Sequence, residues 1–167
     1  MSLPLAAAGA ITLALIELSV VPYLVPPDLT PDLVLVAVIP IAAFFGLERA
    51  LAWAFVGGLM LDLLSAGPYR PLGATAFTLL VLAGLAAAAA RLVPGGRVPL
   101  AVALVAVAAV VYHLAVLFFI SLRGVSVAEP LATIAPLAVV DAILAVPIVV
   151  GSMLLVRRAE RQEGLGW

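Results

Sequence analysis

Glu17, Asp62, His113 and Asp141 are the side chains of this sequence best placed to do chemistry, because each stands inside a long run of apolar residues. An ionisable group held at the centre of a bilayer costs about 3 kcal/mol on insertion scales, so each needs a physical reason to be there. One reading is a proton or ion site, or a docking point for a polar group on a partner helix. The other is hydrogen bonding between helices, where each contact contributes about 0.6–2 kcal/mol. With 1.5 Å of rise per residue and span midpoints near residues 13, 57, 110 and 143, all four fall roughly 3–8 Å to the same side of the midplane. They can therefore meet in one intramembrane polar layer. His113 is the only histidine. With no second histidine at ligand spacing, the sequence predicts no metal site and no cofactor.

A second constellation lies on one face of a predicted helix. At 100° per residue, Ala54, Gly58, Asp62 and Ser65 share a narrow stripe. Small side chains four apart let another backbone approach closely, and a carboxyl and a hydroxyl beyond them can hydrogen-bond across the contact. The stripe fits an internal helix seam and a contact with a second protein equally well. On either reading, bulk at Gly58 is expected to do more harm than Asp62→Asn. Catalysis finds no support in the same residues. The chain has no cysteine, one histidine, no Gly-x-Ser-x-Gly and no basic residue deep within an apolar run, so no nucleophile–base pair or phosphate-binding set can be assembled.

The elements that must position these residues are set by composition. Of 167 residues, 66% are hydrophobic and only 10% charged, with a mean hydropathy of +1.35. A water-soluble domain of this size could not hide so much apolar surface. The sequence predicts an all-α membrane protein, a single transmembrane domain over residues 1–167 built as a bundle of about six helices. Each crossing needs roughly 20 apolar residues. Charged residues and Pro/Gly clusters divide the chain into spans at about 3–24, 32–47, 50–64, 72–92, 98–122 and 130–156. Glu48-Arg49 is the predicted break between the second and third spans. Pro40, Pro136 and Pro147 fall inside spans, where a kink is expected. The second and third spans are short, and a re-entrant hairpin is the alternative to two crossings. The first span lacks the positively charged leader of a cleaved signal peptide and reads as a retained helix.

Orientation follows from the basic residues, all of which are arginine. With both termini in the cytoplasm, Arg49, Arg91, Arg97, Arg157, Arg158 and Arg161 lie inside, and only Arg70 and Arg123 lie outside, as the positive-inside rule requires. Tyr23 and Tyr69 then sit at the outer interface. The net charge of −1 and the absence of a basic stripe argue against nucleic acid as a partner. Arginine without lysine, together with abundant alanine, glycine and proline, is the usage of a GC-rich genome.

The segment Pro31-Asp32-Leu33 opening a short span, the stretch Gly58-Leu59-Met60-Leu61-Asp62-Leu63-Leu64-Ser65 closing the next, and the turn Pro71-Leu72-Gly73 before the fourth together resemble the MreD family, the rod-shape-determining membrane proteins of bacteria. The resemblance implies a multi-pass protein of the bacterial inner membrane. It implies a non-enzymatic scaffold for side-wall peptidoglycan synthesis, with an MreC-like bitopic protein as partner and MreB filaments, RodA and a class B penicillin-binding transpeptidase nearby. On the same resemblance Pro71 and Gly73 join Ala54, Gly58, Asp62 and Ser65 as partner or helix-packing residues, and a homo-oligomer is compatible with it. The family is also similar in architecture to the substrate-binding subunits of energy-coupling-factor vitamin transporters, which gives the alternative function.

Overall fold

In the computed structural model, residues 3–26, 29–65, 71–92, 97–122, 124 and 128–163 are described. The predicted turn residues Gly67, Pro68, Tyr69 and Arg70, the Pro94-Gly95-Gly96 turn, and Asp28 and Arg123 lie outside them, as do the side chains of Arg97, Arg157 and Arg161. The elements are α1 (Leu3–Ser19), α2 (Val21–Leu24), α3 (Leu33–Phe45), α4 (Leu47–Leu64), α5 (Ala74–Leu92), α6 (Arg97–Ser121) and α7 (Ala128–Glu163). This is an all-α membrane protein. Four segments are long and apolar enough to cross a bilayer: Leu3–Leu24, Ala74–Leu92, Pro99–Ser121 and Ile134–Val156. The apolar α3 has only 13 residues, about 20 Å of helix against a hydrocarbon core of about 30 Å.

The boundaries depart from the sequence expectation in three places, each with a local cause. The first span breaks at Val20, because Pro22 has no N–H to give the carbonyl four residues back and its ring crowds that carbonyl. Glu48-Arg49 does not interrupt anything. The break is the single residue Gly46, at φ +94°, in the left-handed region open to glycine. Glu48 lies in the first turn of α4, where an acid suits the positive end of the helix dipole. Arg49 donates to the carbonyl of Phe45 at 3.1 Å, satisfying one of the last acceptors of α3. Finally, α7 does not stop at Val156 but continues through Arg158 to Glu163, and its helix runs unbroken through Pro136 and Pro147.

The centre of the bundle is α3. It is apolar on every side, the pattern of a helix with no solvent-facing stripe, and Val34 through Ala42 are all buried. Helices α1, α4, α5, α6 and α7 all pack against it. Around this axis the close contacts are made by small residues. Ala6, Ala10 and Ala14 form the buried face of α1, which packs on α4. The outward surface carries Phe55, Phe77, Leu85, Val107, Phe118 and Ile143, all more than half exposed, as a belt suited to lipid.

Gly58 marks the tightest of these contacts. A Cβ built there would stand 2.5 Å from the Cα and 2.8 Å from the N of Ala76 in α5, so the α4–α5 backbones are as close as their atoms permit. Gly84, on the same partner helix, faces open space. Gly58→Ile is therefore expected to lower stability by about 1–3 kcal/mol or more through overpacking. Gly84→Leu is expected to be neutral, since leucine is the better helix former. Thermal unfolding of both variants in mild detergent checks the pair; equal midpoints would mean the seam is not closed at Gly58.

Candidate functional site

A helix that begins inside a bundle exposes its first N–H groups where there is no water to take them. This is the situation of α3, which begins at part-buried Asp32 among α1, α6 and α7. Asp32 is its N-cap residue, yet the Asp32 side chain makes no capping bond to its own helix, although capping is the usual role of an aspartate there. The acceptors come from other helices. Glu17 Oε2 of α1 accepts the N–H of Val34 at 2.9 Å. Asp141 Oδ1 of α7 accepts the N–H of Asp32, also at 2.9 Å. Three carboxylates thus gather at the positive end of the α3 dipole, an arrangement the dipole favours.

Because two other acids cap the helix, the Asp32 carboxylate is left for another partner. Its Oδ2 lies 3.0 Å from Nε2 of His113 in α6. The other ring nitrogen, Nδ1, is 2.7 Å from the carbonyl oxygen of Ala109. A carbonyl oxygen only accepts, so Nδ1 carries the hydrogen. In a neutral ring this leaves Nε2 as a lone pair facing a carboxylate oxygen, which is repulsive. A proton or a metal ion must therefore lie between them. Asp141 completes the group: it is fully buried, and its Oδ2 has no hydrogen-bond partner among the described residues. One ligand atom each from Asp32, His113 and Asp141 lies within 4.8 Å of the others.

Of the residues expected in one polar layer, the structure joins Glu17, His113 and Asp141 around the start of α3. Asp62 serves a different helix. Its Oδ2 accepts the N–H groups of Gly73 at 2.9 Å and Ala76 at 3.2 Å, and its Oδ1 that of Thr75 at 3.2 Å. A carboxylate on α4 therefore caps the N-terminus of α5. Ala54 is fully buried. Ser65 Oγ donates back to the carbonyl of Leu61 in its own helix. Pro71 accepts from the N–H of Ala74, and Gly73 sits at φ +89°, where it turns the chain into α5. The residue that sequence reasoning did not single out is Asp32. The available signal was its place at the head of a short apolar helix, where an acid suits the positive end of the dipole. An open groove of about 570 Å³ beside the Gly46 turn, bounded by Arg49 and Arg91, contains none of these residues.

The three N–H groups on Asp62 revise the expected ranking of substitutions. An asparagine would turn its NH2 group toward at least one backbone donor, so Asp62→Asn does not conserve the interaction. Asp62→Asn and Asp62→Ala are both expected to destabilise by about 1–3 kcal/mol, the cost of leaving buried donors unmet. Ser65→Ala is expected to cost less, because the Leu61 carbonyl that its Oγ bonds keeps the N–H of residue 65 as a donor. Denaturation of the three variants in detergent checks the order, and an Asp62→Asn protein as stable as the parent would contradict the cap. No protein-family model, no curated protein and no solved structure matches this chain, so the site is defined by its own geometry.

Proposed function

We propose that this protein is a non-enzymatic scaffold of the bacterial cell-elongation machinery, seated in the inner membrane and holding an MreC-like bitopic partner. The observation that carries the reading is the use made of the motif residues. Asp32, Asp62 and Ser65 are the polar side chains of the MreD-like segments 31–33, 58–65 and 71–73. All three bond within the bundle. Asp62 fixes where α5 begins, Asp32 ties the start of α3 to α6 and Ser65 closes the last turn of α4, which is the work of a rigid frame. A ligand-binding subunit would instead turn such groups into a chamber open to the outside. In this reading α3 and α4 are two further crossings, giving six, with both termini in the cytoplasm. The six inner arginines against two outer ones support that orientation.

Two measurements test the reading. Single cysteines near Asp28, Arg70 and Arg123 should react with an impermeant thiol reagent from outside, whereas ones near Glu48, Gly95 and Glu160 should not. The cysteine-free sequence makes the labelling unambiguous. Labelling at Gly95 from outside would overturn the six-crossing arrangement. For the role, the tagged protein purified in mild detergent should bring an MreC-like protein with it, and its loss from a rod-shaped host should give rounded, widened cells. Normal rods with a growth requirement for a vitamin, and co-purification of a transporter energising module, would replace the scaffold reading with the transport one.

A further inference from the structure

We propose that Asp32, His113 and Asp141 bind one divalent transition-metal ion of the zinc type, tying the start of α3 to α6 and α7. The site goes beyond the scaffold reading and does not rest on it, since the same ion would lock the same helices whatever partner the bundle holds.

Three features carry the assignment. First, the donors suit the ion: one imidazole and two carboxylates from three separate helices, with ligand atoms no more than 4.8 Å apart. Bonds of about 2.0–2.2 Å to a tetrahedral ion place neighbouring ligand atoms roughly 3.4 Å apart. The 3.0 Å between His113 Nε2 and Asp32 Oδ2 is already close to one such edge, and no pair need close by more than about 1.4 Å. Second, each ligand is held from behind. His113 Nδ1 donates to the Ala109 carbonyl, the outer hydrogen bond typical of a metal-bound imidazole, and it leaves Nε2 as the coordinating nitrogen. Asp141 is held through Oδ1 by the N–H of Asp32.

Third, Asp141 Oδ2 is a buried acceptor with no donor on a side chain with 0% exposure. Buried polar atoms are nearly always satisfied, so an orphan on a carboxylate that belongs to a three-residue ligand cluster points to a bound cation. Charge agrees. Two carboxylates and a neutral ring cancel a divalent ion, the condition under which such a cluster is tolerable at membrane depth. A nitrogen ligand favours zinc-like ions over magnesium or calcium, which prefer oxygen alone. The side chains of His113 and Asp32 keep 15% and 18% accessibility, which leaves a route for the ion and a fourth position for water.

The experiment uses the full chain with a tag free of histidine, because His113 is the only histidine and its signals then report the site alone. After chelator treatment in mild detergent, Zn2+, Co2+ and Mg2+ are titrated calorimetrically, and Zn2+ binding is followed by 15N resonances of the histidine ring. The expected result is one equivalent of Zn2+ or Co2+ per chain, a shift of Nε2 with Nδ1 still protonated, and no competition from Mg2+. Folded His113→Ala and Asp141→Asn should each bind at least 100-fold more weakly, and Glu48→Gln, an exposed acid elsewhere, should bind normally. If either site variant fails to fold, the parent's ring resonances still decide. Unmoved resonances on adding Zn2+, binding retained in His113→Ala, or equal competition by Mg2+ would each overturn the proposal and leave a cluster neutralised by protons.

Discussion

Everything in this bundle is arranged around backbone N–H groups that have no water to bond. A helix starting at the membrane surface can leave its first donors to solvent. A helix starting among other helices cannot. By beginning α3 inside the protein, the chain obliges α1 and α7 to supply Glu17 and Asp141 as acceptors for Val34 and Asp32. That requirement fixes the depth of both acids and the rotation of both helices, and it releases the Asp32 carboxylate toward His113. The polar cluster is thus a consequence of a short helix, and its chemistry follows from which acceptors were left over.

The same solution recurs one helix further along. Asp62 reaches from α4 to three donors around the start of α5, and it can do so because Gly58, one turn earlier, lets the two backbones approach to contact. Neither residue explains itself alone. Without the glycine the carboxylate would be held away from Gly73 and Ala76, and without the carboxylate the close approach would bury unmet donors. Lipid offers no hydrophobic drive for helices to associate, so contacts of this paired kind, steric and polar together, hold the frame.

Much of this was legible in the sequence. Apolar runs bounded by charge and by Pro/Gly gave the all-helical membrane bundle, and ionisable residues within them gave Glu17, His113 and Asp141 as a group. The four-residue spacing gave the α4 stripe. What could not be read was which acid caps which helix, because those bonds join residues far apart in the chain and depend on relative rotation. Asp62 was grouped with the layer by depth alone, yet its direction takes it to α5. Asp32 was read as an ordinary helix opener because its role depends on how deep α3 begins. The Glu48-Arg49 pair was read as a break because charge usually ends an apolar span, whereas a glycine two residues earlier had already turned the chain.

The acceptor for the Asp32 N–H is supplied 109 residues later in the chain, and this bears on the order in which the protein can be made. Ribosomes deliver α3 long before α7, so during synthesis the central helix has its apolar sides and part of its cap but not its last carboxylate. Until Asp141 emerges, the N–H of Asp32 lacks that acceptor and is best satisfied while the start of α3 stays near water. The most buried helix is thus made early and gains its last acceptor only when α7 emerges.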